Sequence, residues 1–267
     1  MSDAEYYDRF ADNNVKEEKQ PKKVKPIVEK STGLSIAKVF GYMFFGLLIT
    51  AGIALGLGFL FSKFLLADAA TEIEARVQET SAIILLIALV VSFIGIVVLS
   101  FVVPIVALRN RHSVLVPAII YSVLMGVMLS TLVVFIDWLI LGLTFGITAV
   151  IFGLMSLIAL LSKSRLNGLA IAAIGLFVGA GFIALTMWIL MLLGVNVTLL
   201  YWIVSFAVFA AVMFITMWDM ARIKAIAEKG EMNPNVSLYC AFILYNDFIN
   251  IFLRLLRFIL IIFGNKK

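Results

Sequence analysis

The chain has 267 residues, of which 63% are hydrophobic and only 14% are charged. Its mean hydropathy of +1.12 lies outside the range of soluble domains, because so few charges could not cover a soluble surface of this size. The composition therefore predicts an integral membrane protein. The chain holds one histidine, His112, and one cysteine, Cys240, which excludes Cys₄ and Cys₂His₂ zinc sites and a disulfide within one chain.

The chain divides into a polar start, an apolar body and a short end. Residues 1–35 carry acidic and basic side chains in equal number, together with Pro21 and Pro26, and we expect them to form a disordered tail. Residues 36–263 are expected to form one transmembrane domain, followed by a short C-terminal tail at 264–267.

Seven apolar runs are each long enough to cross a hydrocarbon core of ~30 Å at ~1.5 Å per residue. We place them at 36–61, 82–107, 114–136, 139–162, 168–193, 199–219 and 237–262. The predicted fold class is therefore an all-α integral membrane protein with seven transmembrane helices. Only Asp137 and Trp138 separate the third run from the fourth, so a six-span chain that merges these two runs is the alternative.

The distribution of lysine and arginine among the short loops indicates the orientation of the spans. Basic residues concentrate in alternate connections, which are Arg109 and Arg111, then Lys163 and Arg165, then Arg222, Lys224 and Lys229. This bias predicts a cytoplasmic N-terminus and an outer C-terminus. It also accounts for the net charge of +5, so we expect no nucleic-acid partner. The absence of a eukaryotic retention or processing signal favours a bacterial plasma membrane over an intracellular membrane.

Small-residue spacing predicts close packing between helices. Three GxxxG pairs lie within the spans, at Gly52 and Gly56, Gly142 and Gly146, and Gly175 and Gly179. Such pairs allow two helix backbones to approach each other.

Ionisable residues inside the spans indicate where function lies, because a charge there costs at least ~2.5 kcal/mol. Asp219 ends the sixth span, and the seventh span contains Asp247, Arg254 and Arg257. Asp247, Asn250, Arg254 and Arg257 recur at spacings of three, four and three residues, which places them on one helix face as a polar stripe. Such a stripe is expected to face the bundle interior or a water-filled cavity.

The two aspartates are predicted to lie at one depth in the membrane. The sixth helix is expected to continue to Gly230 as a C-cap, and the seventh to begin near Asn235 as an N-cap. Asp219 and Asp247 then both lie roughly 16–18 Å from the turn at ~1.5 Å per residue. Two carboxylates this close in a low dielectric cannot easily both ionise, which makes them a candidate pH sensor. A purely structural ion-pair network, with Arg109 as a counter-charge, is the alternative.

The seventh span also carries a recognisable motif. Leu-Tyr-Asn-Asp-Phe-Ile-Asn-Ile-Phe at 244–252, followed by Leu-Arg-Leu-Leu-Arg, resembles the C-terminal signature LY-x-DFINLF-x-x-LLR of the Bax inhibitor-1-like (transmembrane Bax inhibitor motif) family. Asp219 resembles the second conserved aspartate of that family, and Arg109 resembles a basic residue that latches onto this aspartate in bacterial members. Asn246 replaces a residue that is usually apolar, and Trp218 stands where tyrosine is common.

The resemblance implies a pH-sensitive calcium leak through a pore around a central seventh helix. Asp219 and Asp247 would then be the pH sensor, part of the ion pathway and the calcium contacts, and Arg109 would be the latch. The pathway-lining stripe would comprise Asn246, Asn250, Arg254 and Arg257. The implied partners are the lipid bilayer, calcium and protons, with no resident cofactor.

Other functional classes fit the sequence less well. A retinal protein needs a Schiff-base lysine in its last helix, and the seventh span has none. An intramembrane protease would need more than His112 as its base, so we expect no enzymatic activity. The main rival is a non-conducting membrane scaffold or regulatory protein whose Asp/Arg cluster is structural.

Overall fold

The computed structural model describes residues 25–65, 72–109, 113–162, 167–193 and 196–264. Over these ranges the chain is helical and contains no strand. Its helices are α1 (Lys25–Leu65), α2 (Glu72–Arg109), α3 (Leu115–Phe135), α4 (Trp138–Leu161), α5 (Asn167–Leu192), α6 (Thr198–Glu228) and α7 (Pro234–Gly264). All seven are long and apolar enough to cross a membrane. The predicted all-α fold with seven spans is thus confirmed for the described part of the chain.

The boundary between α3 and α4, the least certain one in the sequence, is a true break. Ile136 has an extended backbone that ends α3. Asp137 then caps α4 by accepting a hydrogen bond of 2.9 Å from the Leu139 N–H. A side chain that accepts from a free amide in the first turn is a standard way to begin a helix. The six-span alternative is therefore wrong.

The first two helices are longer than a bilayer requires. They contain 41 and 38 residues, whereas ~20 residues suffice to cross the hydrocarbon core. α1 begins at Lys25, inside the segment that the sequence assigns to the tail. Residues 1–24, His112 and residues 265–267 lie outside the described ranges, and so do the predictions that concern them.

The seventh helix lies at the centre of the bundle. In its apolar window 61% of the residues are buried, against 11–33% in the other six helices. It packs against α1, α4 and α6. A helix surrounded by protein can carry polar side chains that lipid would not solvate. The central seventh helix of the prediction is confirmed.

Close packing between helices occurs at glycines outside the GxxxG pairs. A Cβ added to Gly126 on α3 would lie 2.8 Å from the Ile53 Cβ and 2.9 Å from the Thr50 carbonyl oxygen on α1. Gly58 on α1 faces Val133 in the same interface. A Cβ on any of the six GxxxG glycines would meet nothing within 4 Å, so the predicted packing at those pairs is not found.

Three helix connections meet where α6 turns into α7, a region called here the hairpin end. The Lys224 ammonium donates to the carbonyl oxygens of Leu160 at 2.6 Å and Ser162 at 2.9 Å, at the close of α4. The Val114 N–H before α3 donates to Asn235 Oδ1 at 3.4 Å. The connections that are predicted to be cytoplasmic therefore share one end of the bundle.

Candidate functional site

The turn between α6 and α7 sets the relative depth of the two aspartates. α6 ends at Glu228, and Gly230 takes a positive φ of 73° that side chains disfavour. α7 begins at Pro234, and Asn233 Oδ1 accepts from the Val236 N–H at 2.8 Å. The predicted C-cap at Gly230 fits this turn, but the predicted N-cap at Asn235 is wrong. Proline favours the first helical position, which makes the residue before it the cap.

The structure brings Asp219 and Asp247 together between α6 and α7. Their exposed fractions are only 8% and 7%, and their charges interact. The Thr216 hydroxyl, one turn before Asp219, donates to the Val212 carbonyl oxygen at 3.0 Å and also acts on the Asp247 carboxyl. Asp247 Oδ2 is buried and has no hydrogen-bond partner among the described residues. The site therefore holds two carboxylates, and one of their oxygens, Asp247 Oδ2, is left to accept a ligand or a proton.

A serine on α4 adds a further polar group beside α7. α4 packs against both α6 and α7. Ser156 lies one helical turn after Phe152, whose ring is 5.6 Å from the Phe248 ring. The Ser156 hydroxyl is buried and lacks a hydrogen-bond partner within the described part of the chain. Residues one turn apart share a helix face, so Ser156 faces α7 from the hairpin side of Asp247.

Within the described ranges, Arg222 is the cation whose charge acts on Asp219. The Arg222 guanidinium lies 5.5 Å from the Trp218 ring centroid, and its side chain is exposed. Arg109, the predicted latch, is exposed at the last residue of α2. Within the described ranges, the ion pair present joins Lys224 to Glu228 at 3.9 Å and involves neither Arg109 nor either aspartate. The sequence did not identify Arg222 as a neighbour of the pair.

Hydrogen bonds fix α7 on the side facing α1 and α3. The Tyr245 hydroxyl lies 2.6 Å from Thr50 Oγ1, which in turn donates to the Ser122 carbonyl oxygen at 2.9 Å. The Tyr121 hydroxyl donates to Asn246 Oδ1 at 2.7 Å. Both residues that precede Asp247 are therefore held by other helices. Sequence reasoning missed these partners, since isolated hydroxyl residues in apolar spans carry no pairing signal.

The predicted polar stripe is divided between two environments. Asn246 is hydrogen-bonded to Tyr121, whereas Asn250 and Arg257 are exposed and Arg254 is half-buried. Arg257 lies over the Tyr201 ring at 4.8 Å from its centroid. The stripe therefore runs from the interior near Asp247 to the open surface at the C-terminal end of α7.

No group of three or more His, Cys, Asp or Glu that could hold a metal ion occurs within the described ranges. The aspartate pair supplies two carboxylates, and Thr216 supplies one hydroxyl. Calcium takes six to eight oxygen ligands. Any calcium at this position would therefore keep several waters or bind weakly.

Comparison with known proteins identifies the family. A family model described as "Inhibitor of apoptosis-promoting Bax1" matches residues 34–265. The chain belongs to this Bax inhibitor-1-like family. The resemblance that the motif in α7 carries is thereby confirmed over nearly the whole transmembrane domain.

The chain is similar in sequence to two bacterial proteins. The chain is 28% identical over 255 residues to the inner membrane protein YbhL of Escherichia coli strain K12, covering 90% of this chain and 96% of that protein. It is 33% identical over 151 residues to the uncharacterized protein RP147 of Rickettsia prowazekii, covering 55% of this chain and 60% of that protein. No solved structure matches the chain.

Proposed function

We propose that this protein is a calcium leak channel and that Asp219 and Asp247 make the leak sensitive to pH. The observation that carries the proposal is the pair itself, two nearly inaccessible carboxylates whose charges interact at the centre of the bundle. Ionisable groups inside a membrane domain are costly and mark ion or proton pathways. Membership of the Bax inhibitor-1-like family supports the same function.

The ligand set at the pair suits an ion in transit. Conduction requires binding that is favourable enough for entry and weak enough for release. Two carboxylates and the Thr216 hydroxyl are far fewer than the oxygens of a tight calcium site. Asp247 Oδ2, which no described residue engages, is the acceptor that an incoming cation would use.

Protonation would change the charge of this site. Two carboxylates whose charges interact strongly titrate as one unit, and a proton shared between them removes one negative charge. Less charge at the pair weakens its attraction for a divalent cation. In this proposal the leak therefore falls as the pH falls through the titration of the pair.

Arg109 would act as the latch in a second, closed conformation. It lies at the end of α2 and is exposed in the present structure. Pairing with ionised Asp219 would compete with calcium for the same charge. Arg222 already acts on Asp219 and is the second cation that could enter this competition.

The orientation of the bundle belongs to the proposal as well. The basic connections at the hairpin end predict that this end faces the cytoplasm, with the N-terminus on the same side and the C-terminus outside. A bacterial plasma membrane is supported by the relative named as an inner membrane protein of Escherichia coli.

Flux measurement tests the proposed function. The full-length protein is reconstituted into liposomes that enclose a calcium indicator, with protein-free liposomes as the control. We expect calcium entry that depends on the amount of protein. Flux equal to that of protein-free liposomes across the pH range would contradict the channel and favour a non-conducting scaffold.

A further inference from the structure

Two arginines at the C-terminal end of α7 lack a carboxylate partner in the part of the chain that the structure describes. Arg254 is half-buried, Arg257 is exposed, and the charge of Arg257 acts on Arg254. Their spacing of three residues places them next to each other on one helix face. Two like charges at membrane depth destabilise each other unless an anion lies near them.

Arg257 lines an open groove between α3 and α6, and Arg254 lies beside that groove, one turn earlier on α7. Its volume is about 400 Å³. Apolar side chains form most of its wall, namely Leu132, Leu253, Leu256, Leu260 and Ile261. Tyr201 and Arg257 complete the lining, and the guanidinium of Arg257 lies over the ring of Tyr201 at 4.8 Å from its centroid. A cation–π contact of this kind holds the charge at the groove.

Leu132 and Tyr201 lie near the ends of two helices that are long and apolar enough to cross a membrane, so the groove lies near one end of the spans. At this position the space between the ends of α3 and α6 would be accessible to a lipid beside the bundle. Its leucine walls would not favour a free hydrated anion, which would lose water there without compensation. A ligand that joins an anionic head to an apolar chain matches both parts of the site.

We propose that this groove binds an anionic phospholipid. The phosphate lies between Arg254 and Arg257, and one acyl chain follows the leucines of the groove. Guanidinium groups bind phosphate through paired, charge-assisted hydrogen bonds. The lipid would neutralise the arginine end of the polar stripe. This inference is independent of calcium conduction.

Native mass spectrometry of the full-length protein tests the site. The protein is released from micelles that contain equal amounts of phosphatidylglycerol and phosphatidylcholine, and the lipids that remain bound are counted. We expect a preference for phosphatidylglycerol that falls about 10-fold or more in Arg254→Gln/Arg257→Gln, because each arginine contributes charge-assisted hydrogen bonds. The matched control is Lys63→Gln/Arg76→Gln, which removes two exposed charges at the same end of the bundle and should retain the preference.

Further variants separate the head group from the chain. Arg254→Lys/Arg257→Lys keeps both charges and should retain most of the preference, while Leu253→Trp fills the groove and should reduce retention of both lipids. The single variant Arg257→Gln, at an exposed position, replaces the double variant if that one does not elute as a folded monodisperse species. An equal preference for phosphatidylglycerol in Arg254→Gln/Arg257→Gln and in the control Lys63→Gln/Arg76→Gln would overturn the proposal. So would full displacement of phosphatidylglycerol by millimolar inorganic phosphate, which would identify a free-anion site.

Discussion

The Tyr121 hydroxyl on α3 donates a hydrogen bond of 2.7 Å to Asn246 Oδ1 on α7, one residue before Asp247. The Asn246 amide group uses its other end to donate to the Phe242 carbonyl oxygen at 3.2 Å. Tyr245, the preceding residue, lies 2.6 Å from Thr50 on α1. These bonds fix the rotation of α7 about its axis, which directs Asp247 toward α6. The asparagine that departs from the family motif therefore has a definite structural partner.

The bond between Tyr121 and Asn246 should be measurable as a coupling energy. Tyr121→Phe leaves the Asn246 oxygen without its donor, and Asn246→Leu leaves the hydroxyl without its acceptor. We expect each single change to lower the free energy of unfolding by about 1–3 kcal/mol and the double change to cost less than their sum. Unfolding in detergent micelles measures all three, with Tyr42→Phe at an exposed position as the control. Strict additivity would show that the bond contributes nothing.

Lys224 should stabilise the hairpin end through the carbonyl oxygens of Leu160 and Ser162. A cation at the C-terminus of a helix also interacts favourably with the helix dipole. Lys224→Met keeps the chain length but removes the donors, and we expect a loss of about 1–3 kcal/mol in unfolding free energy. Lys229→Met, at an exposed position just past the end of the same helix, should change stability little. An equal effect of the two substitutions would show that the hydrogen bonds from Lys224 do not stabilise the hairpin end.

The interface between α1 and α3 should tolerate no side chain at Gly126. A Cβ there would lie 2.8 Å from the Ile53 Cβ, and overpacking of this kind costs about 1–3 kcal/mol. Gly175→Ala is the matched control, because its Cβ would enter open space and alanine favours helix over glycine by up to ~1 kcal/mol. The midpoint temperature of thermal unfolding should therefore fall for Gly126→Ala and stay equal or rise for Gly175→Ala. A lower midpoint temperature for Gly175→Ala than for Gly126→Ala would contradict the close packing of α1 against α3 at Gly126.

The spans could be predicted from the sequence because the bilayer imposes a minimum apolar length on every helix. The sequence leaves the break at Asp137 open between seven and six spans, although a carboxylate followed by an apolar run is a helix start signal. The glycine contacts could not be predicted. Small residues recur often by chance in apolar helices, and only the three-dimensional packing distinguishes Gly126 from Gly175.

The aspartates of the candidate site could be predicted by counting residues from the turn, since both arms of the hairpin are continuous helices. Their hydroxyl partners could not. Hydroxyl side chains in these spans commonly bond to their own helix, as Thr148 does to the Thr144 carbonyl oxygen at 2.8 Å. Thr216 offered one usable signal, because it lies three residues before Asp219 and so on the same helix face.

The proposed latch predicts how replacing Arg109 changes the calcium leak. If Arg109 stabilises a closed conformation through Asp219, Arg109→Ala should raise the basal calcium leak by about 5- to 150-fold, the range of typical coupling energies. Arg76→Ala removes an exposed arginine at the other end of α2 and is the matched control. Flux is measured in proteoliposomes with equal protein content. An unchanged leak in Arg109→Ala would remove the latch from the account while leaving the aspartate pair untouched.

The most direct test of the central claim is the pH profile of calcium flux in Asp219→Asn, Asp247→Asn and the double variant. An amide keeps nearly the shape of the carboxyl group but cannot titrate. We expect wild-type flux to fall as the pH falls, each single variant to lose most of this dependence, and the double variant to add little, because the pair titrates as one unit. A wild-type pH profile retained in both single variants would contradict the di-aspartyl mechanism.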